Sequence, residues 1–254
     1  MSSNAKMQEH ANHQEELAIE LKNISKTYVS GKIHVKAIDQ IDMNVKAGER
    51  LAVLGPSGSG KTTLLNLLGG ITNPDQDEGY LRVFGEDIQD YSNKQYNAYR
   101  RDRIGFIFQF FNLFPALTAI ENVVIGIDIV KREKKDVLNG ELDEYEIAKS
   151  YLEKVGLGER LNHYPSQLSG GEQQRVAIAR ALAKTPFLGR RFLLLCDEPT
   201  GNLDTNTGDK IISLMKQLND DIGITILMVT HNDVLASKFA DRILHLEDGR
   251  IMND

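Results

Sequence analysis

A run of glycines that ends in lysine and threonine constrains this chain more than any other feature, and it reads Gly55-Pro56-Ser57-Gly58-Ser59-Gly60-Lys61-Thr62. It fits the pattern G-x-x-x-x-G-K-[ST] and lies between an apolar run at 51–54 and a helical pattern. Glycines let backbone N–H groups close around an anion, and the helix start adds partial positive charge. Lys61 can reach the β and γ phosphates, Thr62 can bind Mg²⁺, and Thr63 supplies a second hydroxyl. The run therefore predicts a loop that binds the phosphates of a nucleotide, between a strand and a helix.

The composition narrows the class of protein. With 254 residues the chain can form one large α/β domain or two small ones. Its hydrophobic content of 41% and charged content of 26% are ordinary for a globular protein. A formal net charge of -6 argues against nucleic acid as a partner, since no general basic surface is present. The single cysteine, Cys196, rules out an intramolecular disulfide and fits a reducing compartment.

The sequence also argues against secretion and direct membrane insertion. No apolar run approaches the roughly eighteen residues that a spanning helix needs. Residues 1–16 are polar and lack the apolar segment of a signal peptide. We expect them to form a disordered tail before a single domain at 17–254. These features predict a cytoplasmic protein.

Apolar runs that alternate with helical patterns predict an α/β fold with a mostly parallel sheet. The runs expected to form buried strands lie at 51–54, 104–108, 192–196 and 224–229. Near the N-terminus, residues 17–22 and 33–45 have the pattern of half-buried strands on either side of a turn. Asp248-Gly249 separates two β segments, at 242–247 and 250–251, as in a hairpin. Residues from about 110 to 184 are mostly helical in pattern and are expected to form an inserted helical subdomain.

Two carboxylates follow the strand predicted at 192–196. Asp197 and Glu198 come directly after this apolar run, at the carboxyl end of that strand. Ligands of open α/β sheets collect at this edge. Asp197 is therefore expected to hold Mg²⁺ together with Thr62, and Glu198 to act as a general base on a water aimed at the γ-phosphate. Two solvated carboxylates in a loop are the alternative, which the phosphate loop in the same chain disfavours.

A second glycine-containing helix start lies at Ser169-Gly170-Gly171-Glu172. Ser169 can cap the helix, and the glycines leave backbone N–H groups open to an anion. One nucleotide cannot easily use both helix starts of the same subunit. The economical solution is that this loop of one copy covers the γ-phosphate held by Lys61 of another copy. The alternative is an ordinary helix cap preceded by glycine.

With these three motifs the chain resembles the ATP-binding subunit of an ABC transporter, over residues 17–254. The resemblance implies a P-loop NTPase fold: a RecA-like core, an antiparallel β subdomain and an inserted helical subdomain. It also implies ATP hydrolysis with Mg²⁺ as cofactor, and a homodimer or pseudo-dimer that forms on ATP binding. The partner would be an integral-membrane permease, which holds the protein at the cytoplasmic face of the membrane.

Further residues match motifs of that family and take their roles from it. Gln109 matches the glutamine that reaches the metal and links the site to the helical subdomain. His231 matches the switch histidine that contacts the γ-phosphate, and Tyr28 matches the aromatic residue that stacks on adenine. Alone, His231 is more typical of a surface or capping residue and Tyr28 of a strand end. The resemblance thus implies catalytic roles for Lys61, Gln109, Glu198 and His231, and a D-loop that crosses the dimer interface at Asn202, Leu203 and Asp204.

Longer strings are similar to the group that serves macrolide-efflux, lipoprotein-release, cell-division and peptide-resistance permeases. Members of this group often transmit force across the membrane instead of moving a solute through a channel. The strings are Phe108-Gln109-Phe110-Phe111-Asn112-Leu113 and Glu198-Pro199-Thr200-Gly201-Asn202-Leu203-Asp204. The apolar residues after Gln109 are expected to receive the permease, although the core of the helical subdomain competes for about half of them.

Other classes of P-loop protein fit the sequence less well. A P-loop kinase or GTPase would lack the Ser169 string, and a GTPase would need an Asn-Lys-x-Asp loop, which the sequence does not contain. A soluble ABC protein that acts on DNA ends or ribosomes usually carries a long coiled coil or a second cassette, and neither is found. The ATPase subunit of a substrate importer stays open as an alternative.

Overall fold

Two β-sheets and the helices around them form the part of the chain that the structure describes. The computed structural model describes residues 16–75, 79–133, 143–188 and 191–252. The predicted tail lies outside these ranges except for Glu16. The carbonyl oxygen of Glu16 accepts a hydrogen bond from the N–H of Ala47 (2.8 Å), and its carboxylate pairs with Arg191 (2.8 Å). Glu16 is thus attached to the folded domain.

The elements in chain order are as follows. The strands are β1 (Leu17–Ser30), β2 (Ile33–Lys46), β3 (Arg50–Leu54), β4 (Tyr80–Val83), β5 (Glu86–Asp87), β6 (Ile104–Ile107), β7 (Leu193–Asp197), β8 (Thr225–Thr230), β9 (Arg242–Glu247) and β10 (Arg250–Met252). The helices are α1 (Lys61–Leu68), α2 (Asn93–Arg103), α3 (Ala119–Glu133), α4 (Glu144–Lys154), α5 (Gly170–Leu182), α6 (Thr205–Ile222) and α7 (Asp233–Phe239).

The larger sheet has six strands in the order β10-β9-β3-β8-β7-β6. Strands β9, β3, β8, β7 and β6 run parallel, and β10 is antiparallel to β9. Every residue of β8 is buried, as expected for a strand covered on both faces of a parallel sheet. The predicted mostly parallel sheet is confirmed, and its four predicted buried strands lie within one residue of the predicted bounds.

The smaller sheet is antiparallel, with strands in the order β2-β1-β4-β5. Strands β1 and β2 pair from Leu17 opposite Lys46 to Ser30 opposite Ile33, so β1 is much longer than the strand predicted at 17–22. The alternation of apolar residues stops at Lys22 because the pairing shifts register there, with Asn23 at a φ of 50°. The antiparallel β subdomain itself is confirmed.

Two apolar cores cover the two faces of the larger sheet. Alternate residues of β7 belong to different cores, Leu194 and Cys196 to one and Leu193 and Leu195 to the other. Helices α3, α4 and α5 pack against one another within the segment predicted as a helical insert. The boundaries of that insert stay a prediction, since its apolar residues share one core with β7 and α6. No helix within the described ranges is both long and apolar enough to cross a membrane.

Candidate active site

The four predicted catalytic residues, Lys61, Gln109, Glu198 and His231, converge on one edge of the larger sheet, where its parallel strands end. The phosphate loop follows β3, Gln109 follows β6, the two carboxylates end β7, and His231 follows β8. This is the edge at which α/β proteins bind ligands. A cavity of about 690 Å³ opens there. Its lining residues are Ala37, Pro56, Ser57, Gly58, Gly60, Lys61, Thr62, Thr63, Gln109, Asp197, Glu198 and His231.

The phosphate loop holds its lysine over its own backbone. Lys61 is buried, and its Nζ donates hydrogen bonds to the carbonyl oxygens of Gly55 (2.7 Å) and Pro56 (2.8 Å). Helix α1 begins after Gly60, which has a φ of 108°, and no side chain caps it. Its first turn contains no acidic residue. The helix start therefore offers N–H groups and an ammonium to an anion, while Gly55 and Ser59 lie in the loop behind the cavity lining.

Thr62 and Asp197 bring two oxygen ligands together at the base of the cavity. The hydroxyl of Thr62 donates a hydrogen bond to Oδ2 of Asp197 (3.1 Å). Burial raises the pKa of the Asp197 carboxyl, and the Thr62 hydrogen bond and the charge of Lys61 oppose that rise. A half-buried carboxylate beside a hydroxyl is the donor chemistry that Mg²⁺ uses when phosphates and waters complete its shell. The residues present therefore fit the cation.

Glu198 is held at both of its carboxylate oxygens. Nδ1 of His231 lies 2.8 Å from Oε1, and the hydroxyl of Thr230 donates to Oε2 (2.9 Å). The backbone of Glu198 has a φ of 46°, a left-handed conformation that a non-glycine residue adopts at a cost. The N–H of Glu198 donates to the carbonyl of Val229 (3.0 Å), which holds this turn against β8. The carboxylate is thus oriented toward the cavity before any ligand arrives.

Thr230 is a site residue that sequence reasoning missed. Besides holding Glu198, its hydroxyl accepts a hydrogen bond from the N–H of Asn232 (3.1 Å). It is the last residue of a completely buried strand, and its side chain is also buried. The sequence pattern that could have identified Thr230 is a hydroxyl residue that ends a buried strand directly before a candidate catalytic histidine.

Gln109 connects the cavity to the predicted D-loop. Nε2 of Gln109 donates to Oδ1 of Asn202 (3.3 Å), and Nδ2 of Asn202 donates to the carbonyl oxygen of Gln109 (2.8 Å). Asp204 caps helix α6 by accepting a hydrogen bond from the N–H of Thr207 (3.0 Å). Leu203 is half-buried between them. A change at Gln109 can therefore reach the Asn202–Asp204 segment through two hydrogen bonds.

The Ser169 loop lies outside the cavity and is internally satisfied. The hydroxyl of Ser169 donates to Oε2 of Glu172 (2.8 Å), and the N–H of Ser169 donates to the same atom (2.8 Å). These bonds lower the pKa of Glu172. Gly171 lies against α6, because a Cβ there would be 2.4 Å from Cγ2 of Thr207. The expected cap is present, and the hydroxyl and N–H of Ser169 already have the Glu172 carboxylate as their partner. That the glycine N–H groups are open to an anion stays a prediction. Gly170 faces Leu203.

Tyr28 is not among the residues that line the cavity. Its side chain lies on β1 opposite Val35, is 42% exposed, and has Nζ of Lys26 at 5.6 Å from the ring centroid. The ring is thus exposed and available for stacking, although it does not line the cavity.

Comparison with known proteins identifies the family. Residues 38–201 match the ABC transporter family. The chain is 44% identical to the ABC transporter ATP-binding protein MJ0796 of Methanocaldococcus jannaschii, over 92% of this chain and 94% of that protein. It is 42% identical to the lipoprotein-releasing system ATP-binding protein LolD of Francisella tularensis, over 93% and 96%. It is 43% identical to the macrolide export ATP-binding/permease protein MacB of Rhodopirellula baltica, over 93% of this chain but 33% of that protein.

Solved structures agree with the sequence comparison. The dimeric post-hydrolysis state of the ATP-binding cassette MJ0796, bound to ADP and Pi, superimposes with a TM-score of 0.80 at 40% identity. The match covers 92% of this chain and 97% of that one. The predicted fold and the predicted resemblance are both confirmed. The chain therefore belongs to the ABC transporter family, as an ATP-binding and ATP-hydrolysing subunit similar to those of lipoprotein release and macrolide export.

Proposed function

We propose that this chain binds Mg²⁺-ATP in the cavity at the sheet edge, dimerises around it, and uses its hydrolysis to drive a membrane permease. The observation that carries the proposal is the arrangement of three groups on one cavity: the Lys61 ammonium, the Thr62–Asp197 pair, and the Glu198 carboxylate held by His231 and Thr230. These are a phosphate binder, a metal ligand set and a base.

Lys61 would bind the β and γ phosphates by exchanging its present partners. It now donates to two neutral carbonyl oxygens, at 2.7 and 2.8 Å. A phosphate anion is a stronger acceptor for an ammonium than a carbonyl is. The transferred phosphoryl group carries its charge on oxygens, so fixed donors at the loop and helix start supply most of the catalysis.

Thr62 and Asp197, with Gln109 nearby, would hold Mg²⁺. The cation supplies charge neutralisation at the phosphate oxygens when it is bound. The raised pKa of Asp197 has burial as its cause, and a divalent cation beside the carboxylate would bring that pKa down. Asp197 is thus suited to bind a cation from the phosphate side of the cavity.

Glu198 would accept the proton of the attacking water. Water adds to the γ-phosphorus, the bond to the ADP oxygen breaks, and the water proton passes to the carboxylate. The two hydrogen bonds to Glu198 restrict its rotation, so the free oxygen lone pairs face the cavity. His231, with a side chain that is 68% exposed, would contact the γ-phosphate from the solvent side.

The Ser169 loop would complete the site of a second copy. Ser169, Gly170, Gly171 and Glu172 are absent from the cavity lining of their own chain. The Asn202–Asp204 segment would lie at the same interface, where Gln109 senses its position. MJ0796 is dimeric in its ADP- and Pi-bound state, which supports this arrangement. The second copy would be identical or a similar subunit, and Tyr28 would stack on the adenine.

The permease would dock on the loop after Gln109, which would hold the protein at the cytoplasmic face of the membrane. Phe110 is 70% and Phe114 48% exposed. Hydrogen bonds nevertheless fix this loop: Arg180 donates to the carbonyl of Asn112 (2.6 Å), and the buried Asn122 donates to the carbonyl of Phe114 (3.2 Å). Exposed aromatic residues on an ordered loop are typical of an interaction surface. LolD and MacB, named for lipoprotein release and macrolide export, support a permease of that group.

A trapping experiment tests the composite site. Glu198→Gln keeps the shape of the side chain but removes the base, so ATP should bind and stay unhydrolysed. We expect phosphate release to fall by about a hundredfold or more and size-exclusion chromatography with ATP and Mg²⁺ to show a dimer. Glu153→Gln, at an exposed position of α4, is the matched control and should leave both phosphate release and dimer formation at the wild-type value.

Two outcomes would count against the proposal. Wild-type phosphate release by the Glu198→Gln protein would remove the base assignment. A strictly monomeric profile at saturating ATP would remove the composite site, even if hydrolysis were lost.

A further inference from the structure

The turn between β9 and β10 lies directly behind the phosphate loop. Gly249, in this turn, donates its N–H to the carbonyl oxygen of Ser59 (3.0 Å). The carbonyl oxygen of Gly249 accepts a hydrogen bond from the N–H of Asp39 on β2 (2.8 Å). One residue near the C-terminus thus joins the middle of the phosphate loop to the antiparallel sheet, although it does not line the cavity.

The same hairpin packs against one end of the phosphate loop, and strand β2 packs against the other end. A Cβ on Gly55 would lie 2.2 Å from the carbonyl oxygen of Leu246, in β9. A Cβ on Gly60 would lie 2.3 Å from the carbonyl oxygen of Ala37, in β2. Backbone atoms cannot yield as a flexible side chain would. The phosphate loop is therefore packed against backbone on the side away from the cavity, while its other side faces the cavity.

Gly249 has no space for a side chain. Its φ is +77°, and a Cβ would lie 2.9 Å from the carbonyl oxygen of Ala37. An ion pair closes the arrangement, since Nε of Arg250 donates to Oδ2 of Asp39 (2.7 Å) and Lys36 contacts the same carboxylate. The two cations hold the pKa of Asp39 below its ordinary value, Lys36 contributing most. The β9–β10 turn, the phosphate loop and β2 therefore meet at Gly249, and no space is left there for a side chain.

We propose that Gly249 is a positioning residue for the phosphate loop: its N–H and its lack of a side chain set the loop shape that binds the nucleotide phosphates. The proposal rests on nucleotide binding at this loop. Ser59, whose carbonyl Gly249 holds, is buried, and its hydroxyl makes no hydrogen bond within the described part of the chain. A shift of the turn would thus move the loop backbone with no other side-chain bond of Ser59 to resist it.

The test compares two glycines with the same backbone conformation. Gly85 has a φ of +79°, and no atom lies within 4 Å of the position that a Cβ would take, so Gly85→Ala introduces backbone strain alone. Gly249→Ala adds the collision with β2 to a similar strain. Binding of ADP and AMP to each protein is measured by calorimetry, together with the melting temperature. Comparing ADP with AMP separates binding of the β-phosphate from binding of the remainder of the nucleotide, because the loop contacts the β-phosphate and AMP lacks it.

We expect both variants to melt below the wild type, and Gly249→Ala to melt lower than Gly85→Ala because of the added collision with β2. Gly249→Ala should weaken ADP binding by about tenfold or more relative to Gly85→Ala, with AMP binding changed by less than about threefold. If the ADP affinities of the two variants agree within about twofold, Gly249 is a structural glycine only and the proposal is wrong.

A second set of variants works even if Gly249→Ala does not fold. Arg250→Gln leaves the backbone unchanged but removes the ion pair that holds the turn to Asp39. It should lower the ratio of ADP to AMP affinity by about two- to threefold, and Arg250→Lys should restore it, because the cation is kept. An unchanged ratio in Arg250→Gln would overturn the proposal. Failure of the wild-type protein to bind ADP would instead contradict the proposed function.

Discussion

The two glycine-containing helix starts of this protein, at α1 and at α5, differ in what already occupies them. Helix α1 begins at Gly60 with no side-chain cap and no acid in its first turn. Helix α5 begins at Ser169 with a complete capping box, in which Glu172 accepts two hydrogen bonds and Ser169 accepts one from the N–H of Glu172 (3.3 Å). In sequence both resemble anion sites, but only the second is capped by the chain's own side chains.

This difference explains how the two starts would be used in turn. The α1 start has no capping side chain, and the two carbonyl oxygens that Lys61 now contacts are weaker acceptors than a phosphate, so a single chain can bind nucleotide there. At α5 the hydroxyl and the N–H of Ser169 already donate to the carboxylate of Glu172. A γ-phosphate from another copy would have to replace Glu172 as the partner of the Ser169 hydroxyl. In the proposed mechanism, nucleotide binding by one chain and closure between two chains would therefore be separable events.

The strongest test of the difference is Lys61→Ala at the α1 start. Loss of the ammonium should lower turnover by about a thousandfold or more, because phosphoryl transfer depends on charge stabilisation at this position. Phosphate release measures the effect, and Lys94→Ala, an exposed change on α2, should leave it unaltered. Unchanged turnover in Lys61→Ala would mean that the nucleotide binds elsewhere.

A smaller effect is expected from Ser169→Ala at the α5 start. Nucleotide affinity of the single chain should stay at the wild-type value, while turnover should fall by about a hundredfold, since the hydroxyl is proposed to act on another copy. Ser92→Ala removes the equivalent cap of α2 and is the matched control. Each variant should lose about 1 kcal/mol of stability. A loss of nucleotide affinity in Ser169→Ala alone would show that the Ser169 loop serves its own chain.

The smallest effect concerns the pH dependence of stability at the α5 start. The pKa of Glu172 is lowered from its usual 4.5, first by the Ser169 N–H. Its ionised form therefore stabilises the fold above pH 4.5, and this contribution disappears as the pH falls through the lowered pKa. Glu172→Gln should cost about 0.5–1 kcal/mol in urea unfolding at pH 7 and progressively less in acid.

Glu121→Gln provides the control for that measurement. Glu121 accepts hydrogen bonds from the N–H (2.7 Å) and hydroxyl (2.8 Å) of Thr118 at the start of α3, and its pKa is lowered in the same way. Both variants should lose their cost in acid, although Glu172 has an additional partner in Arg160 (3.3 Å), which also lowers its pKa. If the loss of stability in Glu172→Gln does not change with pH, then the shape of the Glu172 side chain, and not its charge, stabilises the fold.

The parts of the site that follow a strand could be predicted from the sequence. Asp197, Glu198, Gln109 and His231 each end an apolar run, and the parallel sheet brings such ends to one edge. Contacts between remote segments gave no such signal. The bond from Gly249 to Ser59 joins residues 190 positions apart, and only the hairpin at the sheet edge brings them together.

The course of β1 shows a second limit of prediction from sequence. Alternation predicts a strand as far as residue 22, yet β1 continues to Ser30 through several register shifts. A bulge changes which face a side chain occupies, so a periodic pattern cannot be followed across it. The position of Tyr28 depends on these bulges, and its role as an adenine-stacking residue stays a prediction.

The single cysteine has a practical consequence for spectroscopy. Cys196 is completely buried in β7, and burial raises the pKa of its thiol well above the usual range. A maleimide needs an accessible thiolate, so the native chain should resist labelling. A cysteine introduced at an exposed position, such as Lys94→Cys, would carry the only dye. The distance between two such dyes, one on each copy, would then report dimerisation during each turnover. No native cysteine would have to be removed first.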